Sequence, residues 1–371
     1  MIQVKLEILM TCGSKSWGGL EMMALDSAMQ LKKYGFTVYF ISPEGSELHY
    51  HAKNNNIDMI TYQYDAGTIG KIKILKKFLS ENNIRIIHTH LSHDLWFIVP
   101  ALKISHSDSG LFLTKHVASG VSKKDIFHKY LYGRVNKIFA ISNFIKRNVI
   151  ETCPVQEDKV ILLHNGINPD VYNKTKYDRN EIKNELNIDA DKIVIGLIGR
   201  ITPGKGHFEF INSAEIINRK YPGKCVFLVT GSASKGEENI ESDLKLTAKG
   251  KKISNIIFTG FRSDVQRILS CLDILAFPSH DESFGITLLE AMAMEVPVVA
   301  CSSSGVPDII PSDDYGILIP PRNYEALADA IVKMIDNADL RKSLAKNSRK
   351  RVEEYFDAAK LTSDLINHYD I

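Results

Sequence analysis

Two glutamates placed eight positions apart are the residues of this chain best suited to bind a charged, hydroxyl-rich ligand. Glu282 follows the apolar run 274–278, and Glu290 lies in a helical pattern that starts near Thr287. This spacing predicts Glu282 in a strand-to-helix loop and Glu290 about 10 Å further along the helix, at ~1.5 Å per residue. The N–H groups of the helix start lie between the two carboxylates and favour a phosphate. One carboxylate could therefore hold sugar hydroxyls and the other ribose hydroxyls, and a capped surface helix with solvated glutamates is the alternative.

A glycine-rich basic loop, Gly199-Arg200-Ile201-Thr202-Pro203-Gly204-Lys205-Gly206, follows another predicted strand. Its two cations are expected at the carboxyl end of that strand, where doubly wound sheets bind ligands. The G-x4-G-K spacing is that of a phosphate-binding P-loop, but Gly206 replaces the Ser or Thr that would hold magnesium. An ATPase is therefore disfavoured. Phosphate binding by Arg200 and Lys205 is preferred over an exposed basic turn.

The loop after the first predicted strand contains Gly18 and Gly19, followed by Glu21. Glycine permits a positive φ and a close approach of the backbone to a ligand. Glycines are common in plain turns, so this segment alone indicates little about function.

Histidines occur at the ends of two further predicted strands. His88 and His90 point to the same face of one strand, but no acidic or cysteine partner follows nearby, so a metal site is disfavoured. His116 follows the strand at 111–113. Histidines in such places are usually structural. Asp189-Ala190-Asp191 has the D-x-D pattern of a metal site but lies in a charged stretch before a strand, where a turn is the better interpretation.

The segment 278–286 resembles the E-x7-E motif of the retaining glycosyltransferases of family 4, which are the glycosyl transferases group 1 with a GT-B fold. The likeness includes Glu290-Ala291-Met292-Ala293 and Pro297-Val298-Val299-Ala300, and it is most specific between residues 194 and 307. It implies transfer of a hexosyl or N-acetylhexosaminyl group from a nucleotide diphosphate sugar, UDP being favoured over GDP. The implied acceptor is a hydroxyl of a glycan, a lipid-linked glycan or another cell-surface precursor. No metal ion or other cofactor is expected.

The resemblance also implies roles for individual residues. Glu282, His116, Arg200 and Lys205 would be catalytic, with the two cations offsetting charge on the departing diphosphate. His90 and Glu21 are expected on the acceptor side. The implied donor-binding residues are Gly18, Gly19, Arg200, Lys205, Phe261, Arg262, Glu282, Ser283, Phe284, Gly285, Ile286, Thr287 and Glu290. Two departures from the family pattern are Asp308, where a glutamate is usual, and Gly231-Ser232-Ala233-Ser234 in place of Gly-x-Gly.

Strand-sized apolar runs alternate with helical patterns along the whole chain, which favours parallel βαβ units. The alternation restarts at residue 192, after a polar segment, 168–191, that is interpreted as a linker. We therefore expect an α/β protein of the GT-B type, with two Rossmann-like doubly wound domains facing across a cleft. The expected domains are 1–172, on the acceptor side, and 173–355, which binds the nucleotide sugar. A C-terminal helix at about 356–371 is expected to pack back on the first domain.

The composition is that of an ordinary soluble two-domain protein, with 371 residues, 44% of them hydrophobic and 24% charged. No apolar run is long enough for a transmembrane helix, and the N-terminus predicts a first strand and no secretory signal. Five cysteines without paired spacing suggest reduced thiols and a cytoplasmic location.

Basic residues are in excess in the N-terminal half. The segments 71–77 and 122–131 mix basic and apolar residues at helical spacing, as interfacial helices do. Peripheral contact with the inner face of the cell membrane is therefore one hypothesis, and half-buried domain helices are the alternative. Nucleic acid is not an expected partner. A nucleotide-sugar epimerase and a non-catalytic nucleotide-sugar-binding protein are the alternative functions.

Overall fold

The computed structural model describes residues 6–234 and 236–369, which form two compact units. The first unit contains Met1–Asn165 and Ala358–Ile371, and the second contains Gly166–Asp357. The first five residues of the predicted N-terminal strand, and the last two of the predicted C-terminal helix, lie outside the described residues. The five cysteines are all unpaired and buried.

The strands are β1 (Glu7–Thr11), β2 (Thr37–Pro43), β3 (Asp58–Tyr62), β4 (Ile84–Thr89), β5 (Gly110–Lys115), β6 (Lys137–Ala140), β7 (Val160–Leu162), β8 (Ile193–Ile198), β9 (Cys225–Thr230), β10 (Ile256–Gly260), β11 (Ile274–Phe277), β12 (Val298–Cys301) and β13 (Ile317–Ile319).

The α-helices are α1 (Gly19–Lys33), α2 (Glu47–Asn54), α3 (Thr68–Glu81), α4 (Leu95–Ile104), α5 (Ile126–Gly133), α6 (Asn143–Thr152), α7 (Arg179–Glu185), α8 (His207–Lys220), α9 (Glu238–Gly250), α10 (Val265–Cys271), α11 (Ile286–Ala293), α12 (Val306–Ile309), α13 (Tyr324–Asp336), α14 (Ala338–Tyr355) and α15 (Ala358–Asn367).

Each unit is built on one parallel sheet. The first sheet has the strand order β3-β2-β1-β4-β5-β6-β7, and the second has the order β10-β9-β8-β11-β12-β13. The strands are nearly continuous apolar runs, and in β9 every residue is buried. This is expected of parallel sheets, because crossover helices cover their faces. The α/β class and the GT-B type of architecture predicted from the sequence are confirmed.

Each unit has its own hydrophobic core. In the first unit, Leu25 of α1, Phe40 of β2 and Phe112 of β5 belong to one buried cluster. In the second unit, Phe210 of α8 and Phe227 of β9 pack edge to face within another, with ring centroids 5.9 Å apart. The strands that carry the candidate site are therefore held by side chains fixed in a close-packed interior.

The polar segment 168–191 is not a linker, and that interpretation was wrong. It lies within the second unit and contains α7, which packs against α10. Ile182 is buried there, and the ammonium of Lys183 donates to the carbonyls of Ala190 and Lys192 at 2.8 Å each. The sequence looks like a linker because only one face of this short helix is apolar.

The helix α15 belongs to the first unit. Leu365 and Tyr369 join the core cluster of that unit, and the ring of Tyr369 meets Phe112 at 4.8 Å between centroids. The chain passes between the units at Asn165–Gly166 and again at Asp357–Ala358.

Candidate functional site

The strand order of the second unit identifies where a ligand should bind. The strands β8 and β11 are neighbours, but the chain continues from β8 to β9 on one side and from β11 to β12 on the other. The connections that leave these two strands therefore diverge, and doubly wound sheets bind ligands at the carboxyl edge of such a switch point. The glycine-rich loop 199–206 follows β8, and the segment 278–285 follows β11.

These two loops are packed closely together. Gly206 has φ 75°, and a Cβ atom there would lie 2.1 Å from the carbonyl oxygen of Pro278. The backbone N–H of His280 donates to the carbonyl of Gly204 at 2.7 Å, and its imidazole Nε2 lies 2.8 Å from Glu209 Oε1. Only glycine fits at position 206, because both the conformation and the space exclude a side chain.

The packing of the loops brings two predicted site residues into contact. The ammonium of Lys205 donates to Glu282 Oε2 at 2.5 Å. One third of the Lys205 side chain and 15% of the Glu282 side chain remain exposed, so a ligand can reach both. Arg200 is exposed in the same loop as Lys205. A cation and a carboxylate separated by 77 positions in sequence thus meet at the switch point.

The start of α11 lies immediately after Glu282. Gly285 caps this helix in the left-handed region, with φ 108°, and no side chain of the described residues caps it. The backbone N–H groups that begin at Ile286 and Thr287 therefore form a helix N-terminus suited to a phosphate. The carbonyl of Glu282 accepts a hydrogen bond from Gly305 at 2.8 Å, and a Cβ at Gly305 would lie 2.1 Å from Ser283 O. Gly305 therefore packs directly against the backbone of residues 282 and 283 and holds this loop in place.

Glu290 is buried within α11, and its carboxylate is oriented by a residue that sequence reasoning missed. The hydroxyl of Tyr172 donates to Glu290 Oε1 at 2.6 Å. Burial raises the pKa of Glu290, and the hydrogen bond from Tyr172 opposes that rise. The two residues lie 118 positions apart, and no local pattern around Tyr172 indicates the contact.

We expect Tyr172→Phe to raise the KM for a nucleotide-sugar donor about three- to tenfold and to change kcat little. A hydrogen bond to a charged group contributes roughly 1.5–3 kcal/mol, and part of it is regained from water at this site. The measurement is initial-rate kinetics with the donor varied. Tyr177→Phe is the matched control, because the hydroxyl of Tyr177 bonds only the exposed backbone of Val171. Equal donor KM in both variants would contradict the role given to Tyr172.

The side chains of three predicted donor-binding residues differ in what they can offer a ligand. The guanidinium of Arg262 is bound to Glu185 at 2.7 Å and to Asp264 at 2.6 Å, which raises its pKa and commits it to an ion-pair network. The ring of Phe284 is buried against Phe356 with centroids 5.9 Å apart. Phe284 can therefore contribute only its backbone, whereas the ring of Phe261 is exposed.

The first unit has its own switch point, between β1 and β4. Asp94, which sequence reasoning also missed, lies buried there and accepts hydrogen bonds from Thr11 Oγ1 at 3.1 Å and from the N–H of Gly13 at 3.0 Å. Burial raises the pKa of Asp94 to about 6, and the two hydrogen bonds act in the opposite direction. Asp94 thus fixes the start of the loop that leads to Gly18.

The glycines of that loop do not use the positive φ that glycine permits. Gly18 caps α1 with φ −166°, which is extended backbone, and Gly19 is not among the glycines with positive φ. Glu21 is buried in the first turn of α1, where its negative charge is favoured by the helix dipole.

The two strand-end histidines of the first unit lie together. Nδ1 of His90 and Nε2 of His116 are joined by a hydrogen bond of 2.9 Å. Burial lowers the pKa of His116 to about 3, assisted by the charge of Lys115, and holds the pKa of His90 well below its ordinary value. Among residues 6–234 and 236–369, no group of three or more His, Cys, Asp or Glu side chains is arranged to hold a metal ion.

Comparisons with known proteins agree with this arrangement. The glycosyl transferases group 1 family matches residues 178–351, and glycosyltransferase family 4 matches residues 17–171. A capsular polysaccharide biosynthesis glycosyltransferase of Staphylococcus aureus is 30% identical over 63% of this chain. This chain spans 61% of the length of that relative.

Two solved structures show the same fold over almost the full length of both chains. A glycosyltransferase of Rickettsia africae superimposes with a TM-score of 0.89 at 23% identity, over 99% of this chain and 98% of the other. The Anabaena protein HepE, solved with UDP and glucose, has a TM-score of 0.86 at 19% identity, over 98% and 99% of the two chains. The two family models match adjacent parts of the chain that together span nearly all of it, and the chain is therefore similar to the group 1 and family 4 glycosyltransferases along most of its length.

Proposed function

We propose that this chain is a retaining glycosyltransferase that moves a sugar from a nucleotide diphosphate to an acceptor hydroxyl. The observation that carries the proposal is the contact between Lys205 and Glu282 at the switch point of the second sheet. Lys205 can bind a diphosphate, and Glu282 can bind sugar hydroxyls. The two side chains are in contact directly before the N-terminus of α11, which favours a phosphate. Few ligands other than a nucleotide sugar use all three groups at once.

In this proposal the second unit binds the donor along the segment from Glu282 to Glu290. Arg200 and Lys205 bind the diphosphate, Glu282 binds hydroxyls of the sugar, and Glu290 binds the ribose. The Tyr172 hydroxyl keeps one Glu290 oxygen occupied and so directs the carboxylate. In the first unit, His116 binds a hydroxyl of the transferred sugar, and Glu21 lies on the acceptor side.

The mechanism we propose is attack from the face that the diphosphate leaves, through an oxocarbenium-like state. The bond between the anomeric carbon and the phosphate oxygen breaks, while the acceptor oxygen bonds to the same carbon. The acceptor proton passes to the leaving phosphate oxygen, so no protein nucleophile is required. Arg200 and Lys205 stabilise the negative charge that grows on this oxygen, and such preorganised charges act mainly on the transition state.

We propose UDP over GDP as the donor nucleotide and a polysaccharide or lipid-linked glycan precursor as the acceptor. The complexes of HepE with UDP and with UDP-glucose support the nucleotide, and the capsular role in the name of the S. aureus relative supports the acceptor class. The transferred group in this proposal is a hexosyl or N-acetylhexosaminyl group.

The proposal is tested by incubating the protein with a set of UDP- and GDP-sugars, with and without glycan and lipid-linked acceptors. We expect a glycoside whose anomeric configuration, read by NMR, is that of the donor. A changed nucleotide sugar formed without acceptor would instead indicate an epimerase. Nucleotide binding without turnover of any acceptor would indicate a non-catalytic binding protein, and an inverted product would contradict retention.

We expect transfer to proceed at an unchanged rate in the presence of EDTA. Two cations and a helix N-terminus offset the negative charge of the diphosphate, so no divalent ion is needed to neutralise it. The measurement compares initial rates after dialysis against EDTA with rates after added Mg²⁺ or Mn²⁺. Loss of activity that either ion restores would contradict this prediction.

We also propose that α5 brings the first unit to an anionic membrane at the inner face of the cell membrane, so that the protein is cytoplasmic and peripheral. Ile126 and Phe127 are 76% and 67% exposed, and Lys124 and Lys129 flank them. Exposed apolar side chains next to basic ones are typical of interfacial helices. None of the helices within the described residues has the length and apolar character needed to span a bilayer.

The helix α3, which contains the other basic segment, is a domain helix. Leu75 is buried, and the ammonium of Lys71 lies 4.5 Å from the centre of the Tyr62 ring. The side of α3 that carries Leu75 and Lys71 is therefore packed within the unit, and the membrane proposal is made for α5.

We expect the protein to sediment with vesicles that contain anionic phospholipid, and the double variant Ile126→Ser/Phe127→Ser to lose most of this binding. Each substitution removes a large exposed apolar group, worth about 1.5–3 kcal/mol when fully buried. Leu246→Ser is the control, because Leu246 is equally exposed but lies on α9 of the second unit. Equal binding by all three proteins, or no binding by the unaltered protein, would remove the proposal.

A further inference from the structure

Three buried imidazoles form a stack at the carboxyl edge of the first sheet. His88 lies 4.8 Å from His90, and His90 lies 5.2 Å from His116, measured between ring centroids of nearly parallel rings. His88 is fixed on both sides, because Nδ1 bonds the hydroxyl of Tyr369 at 2.7 Å and Nε2 bonds Thr114 Oγ1 at 2.7 Å. The lowered pKa values leave all three rings neutral near pH 7, so each ring carries a single N–H.

The hydrogen bond between His90 and His116 then allows two arrangements of protons. In the first, His90 carries its proton on Nδ1 and donates to Nε2 of His116, whose own proton is on Nδ1. In the second, His116 donates from Nε2, and the proton of His90 is on Nε2.

The surroundings of His90 Nε2 distinguish these arrangements. This atom is fully buried and has no hydrogen-bond partner among the described residues. A buried N–H without a partner costs more than a bare lone pair, and orphaned donors are the rarer case in proteins. The second arrangement would place a buried N–H there, whereas the first leaves only a lone pair. The first arrangement is therefore favoured.

We propose that His90 is a positioning residue that fixes His116 in the tautomer with its proton on Nδ1. The Nε2 lone pair of His116 is occupied by His90, and its Nδ1–H is presented as a hydrogen-bond donor. His90 itself, which the sequence suggested as an acceptor-side residue, acts through His116.

One consequence rests on the proposed function. In glycosyl transfer, His116 donates a hydrogen bond to an oxygen of the transferred sugar and does not accept a proton from the acceptor. His116 is then not the base that takes the acceptor proton, which agrees with its transfer to the leaving phosphate oxygen in the mechanism above. His116 contributes orientation of the sugar, not general-base catalysis.

The first test uses the protein labelled with ¹⁵N-histidine and requires no substrate. Long-range ¹H–¹⁵N correlation spectra distinguish a protonated from a bare ring nitrogen. We expect His116 to show a protonated Nδ1 and a bare Nε2 at pH 7, and a scalar coupling across the hydrogen bond to Nδ1 of His90. A protonated Nε2 on His116 would overturn the proposal directly.

Substitutions then test whether His90 causes this state. His90→Leu removes the donor, so the proton of His116 should divide between both nitrogens. His90→Asn places an amide N–H close to the position of Nδ1 and should restore the Nδ1–H tautomer. His88→Phe is the matched control, since it removes an equally buried ring of the same stack that has no hydrogen bond to His116. An unchanged tautomer in His90→Leu, or a changed one in His88→Phe, would overturn the proposal.

Kinetics provide the second readout. His90→Leu should lower kcat in proportion to the fraction of the Nδ1–H form of His116 that NMR shows to be lost, because only the competent fraction of the donor-bound enzyme reacts. The donor KM should change less than threefold in His90→Leu, and His90→Asn should recover most of the lost kcat. A purely structural role would instead lower the melting temperature of both variants alike without restoring kcat. Should no donor be turned over by any variant, the proposed function fails, and the tautomer measured by NMR still decides the role of His90.

Discussion

Glu282→Ala is expected to lower kcat for sugar transfer by ~10²–10³-fold and to leave the fold intact. In the proposed site the carboxylate of Glu282 holds the sugar over the switch point, and it is fixed there by Lys205 and by the Gly305 N–H on its backbone carbonyl. Its side chain is not part of either hydrophobic core, so removal exposes no cavity in the interior.

The measurement is kcat and KM for transfer, together with the melting temperature of each protein. Glu354→Ala serves as the control, because Glu354 also forms an ion pair, with Lys350 at 3.6 Å, but on the exposed face of α14. Such surface pairs contribute little to stability, so the control should behave as the unaltered protein does. Turnover by Glu282→Ala at the rate of the control would remove Glu282 from the site.

The residues that sequence analysis placed correctly in the structure are those whose roles are local. Glu282 and Gly285 lie in one strand–loop–helix unit, and the pattern of a buried strand, small residues and an apolar helix predicts where each must lie. The same holds for Lys205, since a glycine-rich loop after a strand can only start at its carboxyl end. Periodicity and turn chemistry determine such units within about twenty residues.

The contacts that sequence analysis missed are those made across long separations. Tyr172 reaches Glu290 over 118 positions, and Tyr369 reaches His88 over 281. A single tyrosine is not part of a sequence pattern that predicts its hydrogen-bond partner. That partner depends on how the helices and strands pack in the folded chain. Nothing in a single sequence therefore marks such a residue as part of a site.

The interpretation of 168–191 as a linker also concealed an ion-pair partner of Arg262. Arg262 follows a strand, in a segment that resembles the one bordering the nucleotide base in family 4 enzymes, and its guanidinium is bound to Asp264 and Glu185. Glu185 lies on α7, within the segment that sequence analysis took for a linker. A charged helix with one narrow apolar face resembles a linker in composition. A carboxylate on such a helix, here Glu185, is then not considered as a partner for a cation such as Arg262. The ion pair between Arg262 and Glu185 therefore could not be predicted from the sequence.

Lys205→Met is expected to lower kcat/KM by ~10²–10³-fold, a loss similar to that of Glu282→Ala but with a different origin. Methionine keeps most of the length of the side chain and removes the ammonium that stabilises charge on the departing diphosphate. Binding of UDP should weaken about tenfold or more, because the nucleotide retains its phosphates. UDP binding to Glu282→Ala should be nearly unchanged, since the proposed role of Glu282 is to bind the sugar and not the nucleotide.

Titration calorimetry with UDP separates these two roles, and Lys224→Met is the control for removal of a lysine. Lys224 is exposed beside the amino end of β9, at the edge of the sheet opposite to the loop 199–206. If Lys205 acted only by holding Glu282 in place, UDP affinity would not change, and the double variant Lys205→Met/Glu282→Ala would be no worse than Glu282→Ala alone. We expect instead that the double variant binds UDP as weakly as Lys205→Met does and transfers sugar more slowly than either single variant, because the ammonium acts on the phosphate as well as on the carboxylate.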